Sequence, residues 1–215
     1  MNFAGIQKLR NMSKNIPNIV IFASGSGTNA ENIIKWSQSR NTYRTTAVMC
    51  NRKDAFVLTR AERLGVPHWT FTASGFRSNA ILYNGETRTL TDVLAGLDTD
   101  YIILAGFLLK VPEYLTAAYP ERILNIHPAL LPSYGGKGMY GDHVHRAVIA
   151  AGEKESGITI HVVDNQYDHG KTIYQARCTV TPEDTPETLF AKVHELERAY
   201  PEVIEKYISQ LRNQI

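Results

Sequence analysis

With only two cysteines in 215 residues, Cys50 and Cys178, the chain has no material for a disulfide framework or a paired-cysteine metal site. Each lies inside an apolar, strand-like run, where a thiol serves as a small hydrophobe. An excess of charge is also missing, since 23 Lys plus Arg stand against 21 Asp plus Glu. A polyanion-binding surface needs clustered positive charge, so nucleic acid is not an expected partner. No apolar run is long enough to span a bilayer, and no membrane partner is expected. Residues 1–17 carry Lys8, Arg10 and Lys14 but no continuous apolar stretch, so they do not read as a secretory signal. The expectation is a cytoplasmic chain in a reducing setting, with residues 1–17 as an N-terminal lead-in and 18–215 as one domain. No internal repeat, low-complexity tract or linker divides that span.

What is present is an apolar fraction of 43%, arranged as short apolar runs alternating with amphipathic ones. The pattern predicts strands at 19–23, 45–50 and 68–71, with helices at 29–36 and 55–64 between them. It continues with one longer helix over 81–97, a strand at 101–105 buried on both faces, a short helix at 111–118 and a strand at 122–127. A helix over 143–151 then precedes strands at 157–163 and 172–180, which are close enough in sequence to pair antiparallel. Thr185 is placed to cap a last helix whose first position is Pro186, and Pro201 bends or interrupts that helix. The implied fold class is α/β: a mostly parallel, Rossmann-like twisted sheet with helices on both faces and an antiparallel strand near the C-terminal half.

Two motifs sit where such a fold concentrates chemistry. Asn125 and His127 alternate at the end of a strand that Pro128 terminates, so they share a face. They are either a reaction centre or a hydrogen-bonded strand end. Gly25-Ser26-Gly27-Thr28-Asn29 follows the first strand and opens the first helix, which suits an anion such as phosphate or, alternatively, a plain tight turn. With Ala30 it also fits a dinucleotide fingerprint. The acid that an NAD site needs after the second strand is absent, and Cys50-Asn51-Arg52 stands there, which leaves NADP open. Asp168, in the loop between the two antiparallel strands, is a turn residue, a proton acceptor or the group that orients a histidine. The histidines at 127, 143, 145, 161 and 169 match no zinc spacing, so no metal is expected. His161 reads as a hydrogen-bonded strand residue, and the glycine-rich segment 134–141 as a loop beside the site.

Gly25-Ser26-Gly27-Thr28-Asn29, Leu104-Ala105-Gly106-Phe107, Asn125-Ile126-His127-Pro128-Ala129-Leu130-Leu131-Pro132 and Asp168-x-Gly170, in this order and spacing, resemble the phosphoribosylglycinamide formyltransferases of purine biosynthesis. The resemblance runs from about residue 18 to near the C-terminus and implies a single formyltransferase catalytic domain. It implies that 10-formyltetrahydrofolate is the cosubstrate and glycinamide ribonucleotide the acceptor, with no metal, in a monomer or homodimer. By the same resemblance Asn125, His127 and Asp168 are the catalytic residues. Gly27, Thr28, Asn29 and Glu197 would hold the ribonucleotide. Leu108, Leu109, Lys110, Val111, Asn125, Asp164, Asn165, Gln166, Tyr167 and Asp168 would hold the folate. The implied reaction is direct attack of the amine on the formyl carbon, with Asn125 and His127 on the oxyanion and Asp168 assisting proton transfer and favouring protonated His127.

The chain departs from the family at Asn79, where many members carry a basic residue for the folate tail, and at His169, which replaces a common glycine. A formylfolate hydrolase would share the catalytic residues but resembles this domain with a further domain in front. An NADP-linked reductase or a noncatalytic binding module are the readings from other classes.

Overall fold

The first strand, β1 (Asn18–Ala23), is apolar from Ile19 onward and therefore needs cover on both faces. In the computed structural model, which describes residues 16–213, it has that cover. Ile19, Ile21 and Ala23 join one buried cluster, and Val20 and Phe22 join a second on the opposite face, as the two-residue period of a strand requires. The expected lead-in falls, except for residues 16 and 17, outside the described residues.

After β1 come α1 (Thr28–Arg40), β2 (Arg44–Cys50), α2 (Phe56–Arg63), β3 (His68–Thr70), α3 (Ala73–Ser78), β4 (Ile81–Tyr83), β5 (Glu86–Arg88) and α4 (Leu90–Gly96). The second half runs β6 (Tyr101–Leu104), α5 (Glu113–Ala118), β7 (Ile123–His127), α6 (Asp142–Ala150), β8 (Glu155–Val162), β9 (Thr172–Thr179) and α7 (Pro186–Leu196). A 3₁₀ turn (Glu197–Ala199) then leads into α8 (Tyr200–Asn213).

Seven strands form one sheet in the order β3-β2-β1-β6-β7-β8-β9. The pairings from β3 through β7 are parallel, whereas β8 and β9 run antiparallel. This is the α/β, mostly parallel, Rossmann-like sheet that the sequence pattern predicts, with the antiparallel strands on its C-terminal side. Chain order reverses between β1 and β6, and such a switch point leaves a crevice at the carboxyl ends of the strands.

One expected element is absent. Residues 81–97 do not form a single helix, because Asn84 and Gly85 both adopt left-handed φ, +50° and +85°, the requirement of a tight hairpin turn. β4 and β5 flank that turn and pair with each other, and Trp69 packs on Tyr83 with ring centroids 4.8 Å apart. The helix restarts only at Thr89, whose hydroxyl accepts the Asp92 N–H at 3.1 Å. At the other end of the chain Thr185 caps α7 through a capping box, as expected. Pro201 lies in the first turn of α8, where a missing N–H costs nothing, so the interruption falls just before it.

Beneath the switch point Phe22, Phe71, Phe76 and Phe107 pack with centroids 5.2–6.1 Å apart. Each such pair adds about 0.5–1.5 kcal/mol beyond its buried area, which makes a stiff floor for the loop that follows β6.

Candidate active site

Strand pairing builds the centre of the site. Asn125 of β7 lies directly opposite His161 of β8, and the amide nitrogen of Asn125 meets His161 Nε2 at 3.1 Å. His161 Nδ1 is 2.9 Å from the Val162 carbonyl, which can only accept, so Nδ1 carries the hydrogen. In the neutral ring Nε2 is then an acceptor, and Asn125 must turn its NH₂ toward it. His161 thus sets the orientation of Asn125, a role invisible while it is read as a strand residue. Only the antiparallel register of β7 and β8 reveals it.

His127 is 4% exposed and gives its Nε2–H to the Tyr134 carbonyl at 2.7 Å. Its Nδ1 faces Asp168 Oδ2 at 3.6 Å, and Asp168 Oδ1 lies 3.7 Å from His161 Nε2. Both separations exceed hydrogen-bond length, so Asp168 acts on the two rings as a charge. Its firm bond is from the Gly136 N–H, at 2.9 Å. Asp168 itself takes a left-handed φ of +53°, and a Cβ on nearby Gly170 would fall 1.9 Å from the Val162 carbonyl oxygen. The turn therefore tolerates His169, which pairs outward with Asp164 at 3.0 Å, but not a side chain at Gly170.

Burial is the largest influence on His127 and pushes its pKa down; Asp168 and the Tyr134 carbonyl push it up without winning. The resting ring is therefore biased to the neutral form: Asp168 does favour protonated His127, as expected, but burial outweighs it. Burial pushes the Asp168 carboxyl up, but His161, His127 and the Gly136 N–H outweigh it and hold the group below the usual carboxylate range.

The glycine loop forms a second part of the site. Gly27 has φ +79°, and a Cβ there would lie 2.8 Å from the Val57 backbone, so only glycine lets α2 pack against the start of α1. Arg60 Nε holds the Ser26 carbonyl at 2.9 Å and also pairs with the buried Glu31. Thr28 is the first residue of α1. Asn29 donates to Glu197 Oε2 at 2.9 Å, and His194 Nδ1 reaches the same oxygen at 2.8 Å. His194, too, carries no motif that would single it out in the sequence.

A cavity of about 410 Å³ joins these parts, lined by Asn29, Glu197 and His194 together with Asn125, His127 and Asp168. Leu108, Tyr140, Tyr167 and Phe190, four large hydrophobic residues that are exposed, also line it. So do Gly136 to Gly141, the expected loop beside the site. Of the other residues assigned to folate, Lys110 places Nζ 6.0 Å from the Tyr167 ring centroid. Val111 is buried in the second core cluster and Leu109 packs on it. Asn165 receives the Thr116 hydroxyl, and Asp164 receives the Gln166 N–H at 2.8 Å. Asn79 is occupied by Thr91 through two bonds of 3.2 Å and serves as a cap of α3. Arg52, the residue that left NADP open, does not line the cavity. Among the described residues no cluster of three His, Cys, Asp or Glu side chains is arranged to hold a metal, and no helix is long and apolar enough to cross a membrane.

Comparison with known proteins places this architecture. The model of a family described as formyl transferase matches residues 17–204. The chloroplastic phosphoribosylglycinamide formyltransferase of Arabidopsis thaliana is 38% identical over 188 residues, which are 86% of this chain and 63% of that protein. The chain thus spans less than two thirds of the plant relative. The phosphoribosylglycinamide formyltransferase of Escherichia coli (strain K12) is 37% identical over 191 residues, 87% of this chain and 85% of that protein. Among solved structures, the phosphoribosylglycinamide formyltransferase from Coxiella burnetii superposes with a TM-score of 0.76 at 36% identity, covering 89% and 86% of the two chains. Glycinamide ribonucleotide transformylase 1 from Geobacillus kaustophilus gives 0.78 at 32% identity, covering 89% and 98%. With the match extending over nearly all of the sheet and every element of the site, the chain belongs to the formyl transferase family.

Proposed function

We propose that this protein transfers the formyl group of 10-formyltetrahydrofolate to the amine of glycinamide ribonucleotide, in the cytoplasm. The observation that carries the reading is the meeting of Asn125, His127 and Asp168 in one cavity with Asn29 and Glu197. The names of the relatives supply the acceptor and the formyl group, and the folate donor is what the motif resemblance implies. The fit is chemical as well: the cavity offers exposed apolar residues for flat pterin and aminobenzoyl rings, and Asn29, which lines it, sits in the first turn of the thirteen-residue helix that the glycine loop opens, a place suited to a phosphate.

In this reaction the substrate amine attacks the formyl carbon, the bond from that carbon to the folate nitrogen breaks, and one amine proton ends on the departing nitrogen. Asn125 gives one amide hydrogen to His161 and keeps a second for the formyl oxygen as it becomes an oxyanion. His127 keeps Nε2–H on Tyr134, so its contribution is charge: on taking a proton at Nδ1 it becomes a cation between the oxyanion and Asp168. Asp168, ionised at neutral pH, attracts that proton and helps to pass it on, directly or through water. No covalent enzyme intermediate is involved.

The test mixes purified protein with glycinamide ribonucleotide and 10-formyltetrahydrofolate and follows both products. Formylated ribonucleotide and tetrahydrofolate in equal amounts are expected. Release of formate without consumption of ribonucleotide would replace the reading with a hydrolase, and no reaction would overturn it.

A further inference from the structure

We infer that Ser24 and Asn51 form a relay that positions the folate-facing wall of the cavity, an inference that rests on the formyl-transfer reading above. Ser24 directly follows β1 and is 1% exposed. Its hydroxyl donates to Asn51 Oδ1 at 2.6 Å and accepts the Leu108 N–H at 3.0 Å. Its own N–H donates to the Gly106 carbonyl at 3.1 Å. One serine therefore ties the ends of β1 and β2 to the loop after β6. That loop has no regular structure of its own, turns through Gly106 at φ +67°, and presents Leu108, 43% exposed, to the cavity.

The direction of the bonds makes this a relay rather than two contacts. A hydroxyl has one hydrogen. Because Asn51 accepts it, the oxygen lone pairs are left facing Leu108, and the Leu108 amide is held where they point. Asn51 occupies the place where a dinucleotide enzyme needs an acid for its ribose, and here the side chain turns inward to serve Ser24 instead. The glycine loop is held by separate bonds, from Arg60 Nε to the Ser26 carbonyl and from the Val57 N–H to the Gly25 carbonyl. The relay thus governs the folate wall and leaves the ribonucleotide end to α2.

The experiment is steady-state kinetics with each substrate varied, on the full chain carrying Ser24→Ala, Asn51→Leu, Asn51→Asp or both Ser24→Ala and Asn51→Leu. Ser24→Ala and Asn51→Leu should each raise the KM for 10-formyltetrahydrofolate about tenfold and that for the ribonucleotide less than twofold. Asn51→Asp, which still offers an acceptor to the hydroxyl, should stay within twofold of the unaltered protein. The double variant should be no worse than the worse single one, since both break the same chain of bonds. Equal increases in the two KM values, additive effects, or Asn51→Asp as damaging as Asn51→Leu would each overturn the relay. Should Ser24→Ala fail to fold, the Asn51 pair at its half-buried strand end decides alone, checked by equilibrium dialysis of tetrahydrofolate. An unaltered protein that turns over neither substrate would refute the proposed reaction instead.

Discussion

Asn125 gains its chemical meaning from a neighbour 36 residues away, because the His161 ring decides which end of the amide is a donor. Removing one preorganised oxyanion donor costs about 3 kcal/mol of transition-state stabilisation, or two to three orders of magnitude in turnover. Asn125→Ala should lose that much kcat while the dissociation constants of both substrates change little. Near-normal kcat would remove Asn125 from the mechanism. His127 makes a second prediction through its depressed pKa. The unfolded chain recovers a value of about 6.5, so as the pH falls below that point it binds a proton that the folded protein resists. Stability is therefore full above about pH 6.5 and lost as the pH falls. Asp168, also held below its ordinary value of 3.8, adds a loss of the same sign in stronger acid. Urea midpoints measured between pH 7 and pH 5 should fall less steeply in His127→Gln than in the unaltered protein, and equal slopes would contradict the assignment. Asn125 and His127 were legible in the sequence because a strand period and one proline place them. His161 was not, because register with a distant strand leaves no local trace.

At the scale of elements, backbone geometry separates two glycines that look alike in Gly25-Ser26-Gly27. A Cβ at Gly25 meets nothing within 4 Å, whereas at Gly27 it enters a left-handed residue pressed on Val57. Gly27→Ala should cost about 1–2 kcal/mol for the backbone alone, and overpacking against α2 adds about 1–3 kcal/mol. Gly25→Ala should stay within about 0.5 kcal/mol. Thermal melts of the two variants check this, and equal melting temperatures would show that α2 yields. The same local rule explains why residues 81–97 misled. Ile81, Leu90, Val93 and Leu94 are all buried and supply a helical hydrophobic stripe, but Asn84-Gly85 is a stronger, shorter-range signal for a hairpin. The antiparallel β8–β9 pair was legible for the converse reason: two strands with only a compact loop between them have little choice but to pair side by side.

Across the whole molecule, the C-terminal helix reaches back to the strands that carry the site. Tyr200 is fully buried at the start of α8, and its hydroxyl is shared between the carbonyls of Leu104 and Leu124, each at 3.1 Å. Leu104 ends β6 just before the loop that brings Leu108 to the cavity, and Leu124 adjoins Asn125, with Leu104 and Asn125 paired in register. Burial raises the Tyr200 pKa well above its ordinary value, so the hydroxyl remains a donor at any working pH. Tyr207, two turns further along the same face of the helix, donates to the Glu121 carbonyl at 2.9 Å, ahead of β7 and away from the cavity. The two tyrosines make a matched comparison. Each Tyr→Phe change leaves a carbonyl acceptor short and should cost about 1 kcal/mol in thermal or urea unfolding. Only Tyr200→Phe loosens the strand ends on which Asn125 and Leu108 depend, so it should also lower kcat several-fold, while Tyr207→Phe leaves kcat unchanged. Unfolding curves and kcat measured on both variants separate the possibilities, and equal kcat values would reduce α8 to a cover for the sheet.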